Sequence, residues 1–139
     1  RQRTTPCQDR QITITLQIQQ QTSAFTSSAK IYNLLYIRNN MFKVMIQLTR
    51  KEELSRSDFK NWWLNEHSKL ASKLPGLKKA CFNLVKNEDS PIDGVSELWF
   101  DSEDDFTSSY ESEIGKSVVA DSMSHVSGRT RLIVEENIL

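Results

Sequence analysis

Between residues 42 and 84 the apolar residues change their spacing twice. Phe42, Val44, Ile46 and Leu48 alternate with Lys43, Met45, Gln47 and Thr49, the two-residue period of a strand with one apolar face. From Phe59 the step lengthens to three or four: Phe59, Trp63, Glu66/His67, Leu70 and Leu74 mark one stripe of a helix. Ser55-x-x-Asp58 opens that helix as a capping box, and Pro75-Gly76 closes it, because proline disfavours helical geometry in the residue before it. Alternation then returns at once, with Ala80, Phe82 and Leu84 against Lys79, Cys81 and Asn83.

The same order repeats downstream. NEDSPIDG, residues 87–94, is rich in turn formers and has no apolar pattern. VSELWF, residues 95–100, predicts a strand with Ser96, Leu98 and Phe100 on one face and Glu97 and Trp99 on the other. Ser102 with Asp105 predicts a second capped helix, carried by Phe106 and Tyr110 and interrupted at Gly115. SVVADSMSHV, residues 117–126, adds a further turn or two of helix before a break at Ser127-Gly128. Leu132, Val134 and Ile138 fit a last strand. The order β-α-β-β-α-β predicts an α+β protomer: a four-stranded antiparallel sheet with both helices on one face. The other face, expected to carry Met45, Gln47, Cys81, Glu97, Trp99 and Ile133, is left uncovered. It is partly apolar and calls for a partner sheet, most simply in a homodimer.

The totals agree with one domain. The chain has 139 residues. Its 18 basic and 18 acidic residues balance, but residues 1–40 hold five basic and one acidic residue, net +4, and residues 41–139 hold 13 and 17, net −4. A mildly acidic globular part lacks the clustered Lys and Arg that bind phosphates, which argues against nucleic acid. Cys7 and Cys81 make no disulfide framework and fit a reducing, cytoplasmic setting. No apolar run reaches the about 20 residues of a membrane span.

Residues 1–40 read differently from the rest. Ile12, Ile14, Leu16 and Ile18 alternate like a strand, among seven glutamines and no glycine. A disordered extension, an organelle-targeting segment and a stretch foreign to the native protein are the three readings. The last is favoured, because organised patterning begins at Met41.

Among chemically capable residues His67 leads. On the helix stripe it lies one turn from Trp63 and Leu70, which directs it toward the cleft between helix and sheet. There an imidazole, ordinarily titrating near 6.5, serves as a general base, as an axial haem ligand, or as a hydrogen-bonded core residue. Zinc is disfavoured, since His125 is far along the chain and no paired-ligand spacing accompanies it. Asp121 is placed to orient His67, or to bond nearby backbone N–H groups, the role that short acidic side chains favour. Trp62 and Trp63 point in different directions, so one is expected in the core and the other on a cleft wall. With Leu70 and Phe106 they are the expected walls of a pocket for an apolar or aromatic ligand. Cys81 reads as an inert thiol. No glycine-rich phosphate loop or serine elbow is present, so a nucleotide cofactor is not expected.

MFKVMIQLTRKEELSRSDFKNWWLNEHSKLASKLPGLKKA, SELWFDSEDDF, SEIGKSVVADSMSHV and the terminal LIVEENI together resemble the EthD-like family of dimeric α+β barrels, over Met41 to Leu139. The W-x-x-x-H helix followed by LPGL is the most specific part. The resemblance implies a ferredoxin-like protomer that pairs sheet against sheet. It also implies a role in the breakdown of small organic compounds, often ethers or aromatics, by proteins loosely labelled oxidoreductases. Histidine at position 67 and aspartate at position 121 fit the family pattern. The alternatives are a non-catalytic binding or accessory protein and a haem-binding barrel.

Overall fold

A computed structural model describes residues 27–31 and 41–139. Residues 27–31 are a short helical turn with exposed side chains; the alternating segment at Ile12–Ile18 lies outside the described residues. Asn40–Leu139 is a compact unit in itself.

Its strands are β1 (Phe42–Arg50), β2 (Lys79–Leu84), β3 (Gly94–Phe100) and β4 (Val126–Val134). They form one antiparallel sheet in the order β2-β3-β1-β4. The first helix, α1, runs in three parts: Arg56–Asn61, Trp62–His67 and Ser68–Ala71. Helices α2 (Glu103–Glu111) and α3 (Glu113–His125) follow β3. This is the expected ferredoxin-like order. Both capping serines behave as read, Ser55 accepting from the Asp58 N–H at 3.0 Å and Ser102 from the Asp105 N–H at 3.1 Å.

The core lies between the sheet and the helices. Val44, Ile46, Leu48, Leu98 and Phe100 come from the strands, and Phe59, Trp62, Trp63 and Phe106 from the helices. Removing these side chains from water, at roughly 25 cal/mol per Å2, is the main force holding α1 on the sheet. A smaller cluster of Ala71, Leu74 and Val118 joins α1 to α3.

Three local expectations are corrected. The helix break falls at Ser112, not Gly115: the Ser112 hydroxyl accepts the Gly115 N–H at 3.0 Å and starts α3. Gly115 is there for space, since a Cβ would lie 2.5 Å from Tyr110 Cα. Ser127-Gly128 makes no loop: α3 passes directly into β4, Gly128 pairs with Thr49 inside the strand, and the ladder register shifts at Ser127, since Arg50 pairs with Val126. Finally, Ile133 pairs with Val44 and so shares the helix-side face, although it is 60% exposed. Leu132, opposite Met45 and 39% exposed, takes its place on the open face.

The open face is also less bare than its sequence implies. Trp99 is only 6% exposed in a single chain. The Lys43 and Lys79 ammonium groups lie 4.5 and 4.4 Å from its ring centroid, and Lys43 bridges to Glu97 at 2.8 Å and to Glu136. Two ammonium groups thus lie against the indole ring, and that of Lys43 is also paired with carboxylates.

Candidate active site

The middle part of α1 carries the chemistry. From Trp62 to His67 the backbone is π-helical, and the Ser68 N–H reaches back five residues to the Trp63 carbonyl. The Ser68 hydroxyl takes up the Leu64 carbonyl at 2.6 Å. In a regular α-helix, residues five apart point about 140° away from each other. An i to i+5 turn brings them nearly into line. That is why Trp62, Trp63 and His67 are all buried, and why Trp62 and His67 reach the same partner.

The partner is Asp121 on α3. Its Oδ2 lies 2.7 Å from His67 Nδ1, and its two oxygens lie 3.3 and 3.2 Å from the Trp62 indole nitrogen. A carboxylate only accepts, so the neutral imidazole carries its proton on Nδ1 and donates it to Asp121. Of the two roles open to Asp121 in the sequence, orienting His67 and bonding backbone N–H groups, its carboxylate takes the side-chain one, with His67 and Trp62. His125 braces the arrangement from behind: its ring stacks on Trp62 at 4.1 Å between centroids, and its Nδ1 donates to the Asp121 carbonyl at 2.8 Å.

With Nδ1 committed, His67 Nε2 is left with a lone pair directed into the fold. Ser122 Oγ lies 3.4 Å from it. Around it a small chamber is lined by Ile46, Ser96 and Leu98 of the sheet, Phe82 of β2, Tyr110 of α2 and Arg129 of β4. The space is about 10 Å3, the room of one water molecule. On the far side of Phe82 and Ala71, which line both spaces, an open cleft of about 450 Å3 runs between α1 and β2. Leu64, Leu77 and Ala80 make it apolar, and Ser68, Ser72, Lys78 and Lys79 stand among its walls.

The expected cleft walls are core residues instead. Trp63 is fully buried, stacked on Phe82 and lying over Gly94. Trp62 is spent on Asp121 and His125. Phe106 packs on Phe42, Phe100 and Tyr110, and Leu70 packs in the cluster of Ala71, Leu74 and Val118. Sequence reasoning missed the walls Leu64 and Leu77, and it missed Ser122 and Arg129. Ser122 had one usable signal, its place beside Asp121.

Ser122, His67 and Asp121 stand in the order of a hydrolytic triad, but the surroundings favour proton transfer over acylation. Ser122 lies in the interior of a 13-residue helix. The N–H after it is taken up by the helix, whereas a nucleophile elbow aims that N–H at an oxyanion. A porphyrin does not fit around Nε2 either, where Ser122 and a water-sized space stand. Among the described residues there is no group of three or more His, Cys, Asp or Glu side chains able to hold a metal ion.

Residues 51–128 match the EthD domain. The chain belongs to the EthD family. The fold is shared with solved structures of low sequence identity. One is an ethyl tert-butyl ether D (EthD) family protein from Bacillus halodurans, 22% identical, with a TM-score of 0.62 over 70% of this chain and 99% of that one. A dimeric protein of ferredoxin-like fold from Bacteroides fragilis is 14% identical, TM-score 0.58, over 70% and 97% of the two chains. SnoaB, a cofactor-independent oxygenase from Streptomyces nogalater, is 8% identical, TM-score 0.52, over 71% and 97%. No curated protein matches the chain.

His67 also makes stability depend on pH. Burial pushes its pKa below the ordinary 6.5, the hydrogen bond and charge of Asp121 oppose that shift in part, and Arg129 and His125 add to it. Tyr110, the other titratable group of the chamber, is pushed up by burial, against the pull of Arg129 and Arg131. Between the native His67 midpoint and about 6.5 the unfolded chain holds more protons than the native one, so stability is full above that range and drains as pH falls through it. Urea midpoints should fall between pH 7 and 5, and His67→Gln should flatten that fall. An unchanged slope in the variant would remove His67 from the account.

Proposed function

We propose that this EthD-family chain binds a small apolar or aromatic compound in the cleft between α1 and β2. His67 Nε2 acts on it as a proton acceptor in a cofactor-independent reaction of the oxidative or isomerising kind. One observation carries the reading: the 2.7 Å bond from Asp121 to Nδ1 fixes the tautomer and leaves the Nε2 lone pair facing a small buried chamber of mixed polar and apolar lining. Burial keeps the imidazole neutral, the form in which a base works, and the fixed ring spends no free energy on reorientation. The fold likeness to SnoaB, a cofactor-independent oxygenase, is compatible with such chemistry. Fold alone assigns no reaction.

The second reading is a binding or accessory protein that carries a metabolite without changing it. The narrowness of the chamber favours it, since Phe82 stands between the cleft and Nε2.

Proton abstraction separates the two. In heavy water, a panel of aromatic ketones and phenols should include a compound whose acidic C–H exchanges for deuterium, followed by NMR. His67→Gln should slow that exchange by about a hundredfold. Exchange that persists in His67→Gln, or a panel that binds without exchanging, would leave the binding reading in its place.

A homodimer belongs to the same proposal. Met45, Gln47, Val95 and Leu132 lie on the face of the sheet opposite α1, α2 and α3, and similar solved structures from Bacteroides fragilis and Thermobifida fusca are described as dimeric. Sedimentation velocity should give twice the chain mass, and Leu132→Lys together with Met45→Lys should halve it. A monomeric wild type would contradict the pairing of open faces.

A further inference from the structure

Arg129 has no part in the proton transfer just described, yet it reaches the chamber. It projects from β4 on the helix-side face, in register with Leu48. It lines the space that His67 Nε2 and Ser122 also line, and its guanidinium carbon lies 6.0 Å from the Tyr110 ring centroid. Among the described residues no carboxylate lies within salt-bridge distance of it, although Arg50, Arg56, Lys43 and Lys78 all have one. The nearby Arg131 does not compensate it. That guanidinium also lies over aromatic rings, 4.9 Å from the Phe106 centroid and 5.2 Å from that of Tyr110.

Arg129 hydrogen-bonds the Tyr110 hydroxyl, a neutral group; a half-buried guanidinium with no counter-ion beside it is costly, because its desolvated charge is only partly compensated. It is stabilised when an anion is delivered to it. The chamber has the size for one oxygen atom and the donors for an oxyanion: the Arg129 fork, the Tyr110 hydroxyl and the Ser122 and Ser96 hydroxyls. The base stands in the same space. A compound that loses a proton to His67 Nε2 develops negative charge on the oxygen conjugated to that site, and Arg129 is there to meet it.

We infer that Arg129 is the oxyanion-binding residue of this chain, and that its ligands are compounds with an acidic hydroxyl or an enolisable carbonyl, such as phenols, enols and aryl ketones. The apolar body lies in the cleft of Leu64, Leu77 and Ala80, and the oxygen passes the Phe82 ring into the chamber. The step balances without a further reagent: the C–H or O–H bond breaks, its proton goes to Nε2, and its electron pair ends on the oxygen held by Arg129. The inference rests on the chamber being a binding site and names the chemistry that site selects.

4-Nitrophenol tests it, because its neutral and ionised forms absorb at different wavelengths. The full chain and a Phe82→Ala variant, which joins cleft and chamber, are titrated with the dye at a pH below its own midpoint. Bound dye should be enriched in the phenolate by about tenfold or more over free dye, as expected for a hydrogen bond to a charged group. Arg129→Met should abolish the enrichment and Arg129→Lys should restore part of it, with both variants checked for native circular dichroism. If Arg129→Met binds the dye with an unchanged spectrum, or if neither wild type nor Phe82→Ala binds it, the assignment of Arg129 is overturned. Enrichment lost in His67→Gln but kept in Arg129→Met would also overturn it, while leaving His67 as the proton acceptor. The two readings therefore fail separately.

Discussion

The hydrogen bond between His67 and Asp121 is the contact on which the rest of the site depends. It joins α1 to α3 across 54 residues of sequence at 2.7 Å, and it sets three things together. It anchors the imidazole plane, it assigns the proton to Nδ1, and it turns the remaining lone pair of Nε2 toward the sheet. The π turn makes the contact possible, because only there do Trp62 and His67 face one carboxylate. Such turns occur mostly as isolated irregularities in helices and are frequent at functional sites. Here the irregularity has a definite effect: it turns a helix stripe that would carry one core residue per turn into a platform for two rings and a base.

Much of this architecture was legible in the sequence. The switches of period at Phe59 and Ala80, the two serine caps and the Pro75-Gly76 stop gave the element order and the sheet faces of β1, β2 and β3, and these agree with the structure. The direction of His67 toward the sheet was also legible. What failed was the parity of β4. Ser127-Gly128 read as punctuation, although the chain enters the strand directly from α3. A slip of one residue turns every side chain to the opposite face. Ile133 was therefore assigned to the open side, whereas it shares the helix-side face with Arg129, which lines the chamber.

The pocket walls were misread for a different reason. Trp62, Trp63 and Phe106 are large aromatic side chains, and burial draws them into the core rather than onto a cleft. The surfaces a ligand can reach are made by half-buried residues of moderate size, Leu64 and Leu77 among them, which carry no distinctive pattern. The π register is likewise invisible to a search for steps of three and four, because it is a spacing of five, between Trp62 and His67, that matters. Only a candidate partner across the fold, Asp121, could have signalled it.

The direct test of the central claim is nitrogen-15 NMR of the histidine side chains in the native protein at pH 7. The account predicts for His67 a protonated Nδ1 and an unprotonated Nε2, with a titration midpoint below 6.5. A proton on Nε2, or an imidazolium persisting through neutral pH, would contradict it, because no base would then face the chamber.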